Sequence, residues 1–219
     1  MEFLCYHRDR RGSLTLRHQL LEQHWSYMDG FAAEMIARGP TLTADGEAPT
    51  GSVHLVDLAD PAAARAFAFD EPGYQAGMYR DVLLRRWHNL LGRTMWDFPG
   101  GRSGGNRYLV LGLGPDHASS PDHASSPDQG PAPDQGPAPD QGPAPGQGSA
   151  LDQGLDPAAS FDRDELIAYG PLLSDDGATW LGTAALLRAA DPAAARAVLA
   201  PYAYAEVEVH PWQFGGRPS

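Results

Sequence analysis

The chain has 219 residues, 16 of them basic and 28 acidic, for a formal charge of −12; every cation is Arg, and there is one cysteine, Cys5. This balance lacks the dense cationic footprint that nucleic acid demands, and a single thiol rules out an intrachain disulfide framework. No apolar run reaches the roughly 20 residues of a membrane span and no basic-then-apolar leader opens the sequence, so the expectation is a cytoplasmic protein.

In chain order, Phe3-Leu4-Cys5-Tyr6 reads as a first strand. A helix is predicted over 14–38 from the apolar stripe Leu16, Leu20, Met28, Phe31 and Met35, with Gly39-Pro40 as its stop. Thr41-Leu42-Thr43 and Ser52–Val56 read as a hairpin around Asp45-Gly46 and Pro49. Asp60 is placed to cap a second helix, with Pro61 at its first position and an end near Phe69. Val82–Trp87 supplies a last strand, and Trp96 and Phe98 of the following segment are expected to dock on this unit.

Residues 114–157 differ in character. They hold seven Asp and no Arg, and repeat every six residues around Pro, Asp and Gly. With almost nothing apolar to bury, the segment reads as a disordered linker. It accounts for seven of the twelve net charges, so the overall acidity says little about partners.

A second repeat is more informative. Shifted by 131 residues, Ile36–Ala66 aligns without a gap on Ile167–Ala197, with seventeen of 31 positions identical. The matches include Gly39-Pro40 with Gly170-Pro171, Asp45-Gly46 with Asp176-Gly177, and Asp60-Pro61 with Asp191-Pro192. Two copies of one structural unit follow. Tyr108–Leu111 is the second copy's first strand, and a short helix is predicted near Asp162–Ile167, with Asp162 and Glu165 spaced as a capping box. The expected fold is α+β: a ferredoxin-like β-α-β-β-α-β unit over residues 1–98, and a second, degenerate one over 107–113 and 158–219. The two are expected to pack sheet to sheet as an intramolecular pseudo-dimer, a dimeric α/β barrel in one chain.

The helix segment Glu22-Gln23-His24-Trp25-Ser26-Tyr27, the Gly39-Pro40 pair, the Asp45-Gly46 hairpin through Gly51-Ser52, and Asp70-Glu71-Pro72-Gly73-Tyr74-Gln75-Ala76-Gly77-Met78-Tyr79 together resemble the YCII-related family. The resemblance covers residues 1 to about 88. It implies the ferredoxin-like fold paired into an α/β barrel, a His–acid pair as active site, and lyase-type chemistry such as dehydrochlorination of a hydroxylated aromatic ring. Carried over, the His is His24, and the acid before Pro is Asp70 by residue type or Glu71 by gap-free counting.

From the residues themselves, His24 stands four from Leu20 and four from Met28, on the apolar stripe and pointing inward. A buried imidazole needs a hydrogen-bond partner, and a carboxylate would fix its tautomer and make it a base near neutral pH. Tyr27, Tyr74 and Tyr79 are candidate walls for an aromatic ligand. His54, opposite in phase to Val53 and Leu55, faces the other side of the sheet, as a ligand-binding residue in the cavity between the copies or as a solvated or packed histidine. In the second copy the dyad positions fall on Leu155, Pro201 and Tyr202, so one site per chain is expected. No dinucleotide or phosphate-loop motif and no metal-ligand spacing is present in the first copy, so no cofactor is expected. The functional expectation is a small-molecule lyase or isomerase with His24 as general base; the alternative is a non-catalytic ligand-binding or regulatory module.

Overall fold

The computed structural model describes residues 1–115, 161–199 and 204–217. Nearly all of the hexapeptide tract, with Leu155, Pro201 and Tyr202, lies outside the described residues. The first unit contains β1 (Glu2–Asp9), α1 (Leu14–Asp29), β2 (Met35–Leu42), β3 (Pro49–Asp57), α2 (Pro61–Phe69), α3 (Pro72–Gln75) and β4 (Tyr79–Trp87). The second contains β5 (Arg107–Leu113), β6 (Leu166–Leu173), β7 (Trp180–Arg188), α4 (Pro192–Arg196) and β8 (Glu206–Pro211).

All eight strands join one sheet in the order β2-β3-β1-β4-β6-β7-β5-β8. Each half has the strand order of a ferredoxin-like unit, and every ladder among the described residues is antiparallel. Local chemistry repeats between the halves. Asp60 accepts a hydrogen bond from the Ala63 N–H at 2.8 Å and Asp191 accepts one from the Ala194 N–H at 2.8 Å, each capping a helix that begins with Pro. Asp45 and Asp176 tie the two hairpin turns, each accepting from the hydroxyl two residues earlier and the amide two residues later.

The pleat sorts the core into two layers. Leu4, Tyr6, Val53 and Leu55 of the first unit meet Leu109, Leu111, Ala184 and Leu186 of the second in one shared cluster. Phe3, Cys5, Val56 and Val82 point the other way, under the helices, with Met28, Ala64 and Phe67. The second unit's outer face has its own cluster, including Tyr169, Ala185 and Val198. Met95 and Phe98 enter the shared core, whereas Trp96, expected to dock, is exposed.

Two seams join the halves. At one, β4 pairs with β6, and the His88 and Leu90 amides donate to the Pro171 and Tyr169 carbonyls. At the other, the Gln213 and Gly215 amides donate to the Pro40 and Arg38 carbonyls, and Thr41 bridges Trp212. The acceptors are the positions that the 131-residue offset equates. Both seams rest on a glycine: a Cβ on Gly39 would lie 1.9 Å from the Gln213 carbonyl oxygen, and one on Gly170 would lie 1.7 Å from that of His88.

Two sequence expectations are corrected here. The first helix ends at Asp29, not near Arg38, and Gly39-Pro40 lies inside β2. The stripe is real, since Phe31 and Met35 join Met28 in the outer cluster, but Met35 reaches it from a strand. The predicted helix near Asp162–Ile167 is a single 3-10 turn, Arg163–Glu165, and Ile167 belongs to β6. Asp162 caps that turn through the Asp164 amide, while Glu165 pairs with Arg188 at 2.6 Å instead of completing a capping box.

Candidate active site

The outer face of the first unit's sheet carries a row of polar side chains beneath α1. Cross-strand register places Cys5 opposite His54 and His54 opposite Arg38, so all three point to the same side. His54 therefore faces α1, not the inter-unit core: Val53 and Leu55 take that core, and the pleat turns His54 away from it. Its ring lies 5.7 Å from that of His24 on α1 and 6.1 Å from that of His7 on β1.

Glu71 closes the arrangement from below. It is fully buried and caps α3, where Pro72 opens the turn and the Tyr74 N–H donates to Oε2 at 2.8 Å. Its other oxygen, Oε1, lies 2.8 Å from His24 Nδ1. Asp70 is exposed at the end of α2, so of the two candidate acids Glu71 is the one that pairs with His24. Burial alone would raise the Glu71 carboxyl. The His24 hydrogen bond, the nearby His7 and His24 and the Tyr74 amide outweigh it and hold the group at about 2. Glu71 is then a carboxylate that only accepts, so Nδ1 of His24 carries the proton and Nε2 is the ring's unengaged basic nitrogen.

The neighbouring imidazoles are set differently. Burial drives His54 well below its ordinary value, reinforced by His24, His7, Arg38 and Arg17. Burial also lowers His7, against the opposing pull of Glu71, and His7 Nε2 donates to the Ala68 carbonyl at 2.8 Å. Burial, then Glu71, pushes the Cys5 thiol up, which leaves it a small buried hydrophobe.

His24 and His54 line a cavity of about 320 Å³. Trp25 and Phe214 give it aromatic wall, and Arg17 and Arg38 give it charge. Arg17 is held by both oxygens of Asp9, at 2.8 and 3.0 Å, and by Ser52 Oγ at 2.6 Å. The second unit completes the wall: after β8 the chain crosses β2 through Gln213–Gly216. Arg217 then reaches Asp29 at 2.8 Å, both Glu22 oxygens at 2.7 and 2.8 Å, and Ser26 at 3.1 Å, all on α1. Met28 is the one fully buried side chain of α1, so polar anchors do much of its docking.

The predicted tyrosines lie elsewhere. The Tyr27 hydroxyl donates to the Phe67 carbonyl at 3.1 Å and its ring packs on Phe31. Tyr74 packs on Phe69, and Tyr79 is buried against His7. None of the three lines the cavity. Arg17, Arg38 and Phe214 were not singled out from the sequence. A signal for Arg38 existed: within the matched run around Gly-Pro it stands where the second copy has Tyr169, just as His54 stands where that copy has Ala185. Among the described residues no group of His, Cys, Asp and Glu is placed to hold a metal ion, and no helix is long and apolar enough to cross a membrane.

The chain resembles proteins whose structures are solved. One solved structure it resembles is the 5-chloro-2-hydroxyhydroquinone dehydrochlorinase of Burkholderia phenoliruptrix AC1100, in complex with 2,5-dihydroxybenzoquinone: 29% identity over 42% of this chain and 99% of that one, TM-score 0.40. Another is a protein provisionally named a monooxygenase from Lactobacillus acidophilus NCFM: 8% identity over 98% of this chain and 97% of that one, TM-score 0.41. No curated protein matches the chain. The model of the YCII-related domain matches residues 1–88, the span from β1 through β4 that carries His24 and Glu71. Residues 1–88 are thus similar to the YCII-related domain.

Proposed function

We propose that the chain is a small-molecule lyase or isomerase in which His24 is the general base and Glu71 its orienting carboxylate. The observation that carries this is the 2.8 Å contact between His24 Nδ1 and Glu71, on a ring that lines the cavity. With Nδ1–H held, Nε2 takes a proton from the substrate. In an elimination, the freed electron pair forms a double bond while the leaving group on the adjacent carbon departs with its own pair. In an isomerisation, the imidazolium returns the proton at a second carbon. Glu71 stabilises the imidazolium in either case, and such a base contributes about 10²–10⁴-fold. The dehydrochlorination associated with the family is of the first kind.

The two units are read, under the same proposal, as copies of one unit closed on each other as an α/β barrel. Support comes from the repeated strand order, the twin Asp caps and the twin glycine seams. The second copy serves as internal partner and supplies one wall of the site.

The test is turnover of a panel of chlorinated and unchlorinated hydroquinones, read as chloride release and as solvent deuterium incorporation. His24→Gln is expected to lose at least about 100-fold in kcat, and Glu71→Gln a smaller factor. Undiminished turnover in His24→Gln would sink the general-base reading.

A further inference from the structure

The two guanidiniums that line the cavity are not in the same state. Arg17 is spoken for by Asp9, Ser52 and the Gly51 carbonyl. The Arg38 Nη1 has as its acid Asp29 at 3.6 Å, beyond hydrogen-bond length, and that carboxylate already accepts from Arg217 at 2.8 Å. Arg38 Nε is buried with no hydrogen-bond partner. So is Nδ1 of His54, its cross-strand neighbour. Leaving a buried donor unpaired is costly, more so when the group is charged, and a bound acceptor recovers the loss. Among the described residues that line the cavity, Glu47 is the one acid, and it is exposed.

The second unit supplies an internal comparison. Arg38 corresponds to Tyr169 and His54 to Ala185, paired across β6 and β7 in the same register. Tyr169 and Ala185 are both buried in that unit's apolar cluster. The second unit therefore folds with uncharged residues at these two positions. In the first unit the same two positions place Arg38 and His54 on the cavity wall.

We infer that Arg38 is the anion-recognition residue of the cavity, and that the ligand is a small planar organic anion. Its oxyanion accepts from the Arg38 guanidinium, and its ring lies between Trp25 of α1 and Phe214 of the C-terminal segment. A planar fork of donors suits a carboxylate or a phenolate oxygen better than a point charge does. The inference rests on the proposed function only for the identity of this cavity as the site, and makes the substrate of His24 an anion.

Direct binding measured by calorimetry tests it, with nitrocatechol as the phenolate probe, a dihydroxybenzoate as the carboxylate probe and hydroquinone as the neutral one. Wild type is expected to bind at least one anion more tightly than hydroquinone. Arg38→Gln should weaken that anion roughly tenfold to a hundredfold, Arg38→Lys should restore part of the loss, and His24→Ala should retain anion binding. Dependence on Arg38 for the dihydroxybenzoate alone would identify a carboxylate ligand, and for nitrocatechol alone a phenolate. Equal binding of both anions by wild type and a folded Arg38→Gln, or preference of wild type for hydroquinone, would overturn the inference. A protein that bound the anions through Arg38 but turned nothing over would refute the general-base reading and leave this one standing.

Discussion

Glu71 and His24 are 47 residues apart, and the oxygen that reaches His24 belongs to the carboxylate that also caps α3. One buried side chain thus serves local structure and the site together, and its charge state matters to both. Held at about 2 against an ordinary 4.5, it stabilises the fold at every pH above about 4.5. That contribution, on the order of 3 kcal/mol, is lost as pH falls from about 4.5 through 2. Urea unfolding across that window should show wild type losing stability more steeply than Glu71→Gln. Parallel slopes would mean the carboxylate is not held down in the folded state.

His54 acts with its own sign and window. A histidine lowered in the folded state is neutral there and protonates first in the unfolded chain. Its burial is without penalty above about pH 6.5 and increasingly opposes folding below it. His54→Leu, which imitates the apolar character of the second unit's Ala185, should flatten the loss of stability between about pH 6.5 and 5. An unchanged slope in denaturation series at these pH values would contradict a neutral buried His54.

The paired helix caps give a matched prediction. Asp60→Ala and Asp191→Ala each remove a 2.8 Å side-chain acceptor from an otherwise unsatisfied N–H. Each should cost about 1 kcal/mol and lower Tm by about 2–4 °C. Thermal melts of the two single variants check this, and a several-fold difference between them would show that the two units do not unfold as one body.

The seam glycines should be far less tolerant. At both, the obstacle to a Cβ is the backbone carbonyl of the other unit, which cannot swing aside as a side chain would. Gly39→Ala and Gly170→Ala should each cost about 3 kcal/mol or more in chemical denaturation. A loss below about 1 kcal/mol at either would mean the crossing opens without consequence.

Much of this was legible in the sequence, and what was not has physical causes. The strands, the Asp-Pro caps and the turns at Asp45 and Asp176 carry local signals, and local hydrogen bonds make them. His24 was legible because a histidine on an apolar stripe requires an explanation. The end of α1 was not, because Met28, Phe31 and Met35 keep helical spacing while the chain changes from helix to strand, and all three reach the same cluster. The Gly39-Pro40 pair resembled a helix stop for a related reason. A residue with no Cβ serves a helix terminus and a crowded strand crossing equally well, and the difference depends on Gln213, more than 170 residues away. Placing Arg38 at the end of a helix hid it from the site. Phe214 was hidden because only the second seam brings the C-terminal segment across β2.

The seams also bear on what a chain recognises as itself. Each is formed by groups of the first unit against groups of the second, and neither depends on which molecule supplies them. Two molecules that exchanged their second units would make the same hydrogen bonds, bury the same shared core and rebuild both cavities, with Phe214 and Arg217 arriving from the neighbour. Monomer and exchanged dimer then differ by the advantage of a tethered unit over a free one, a matter of concentration more than of contact energy. Covalent linkage of the two units, rather than any chemistry at their interface, is what makes the site a property of a single chain.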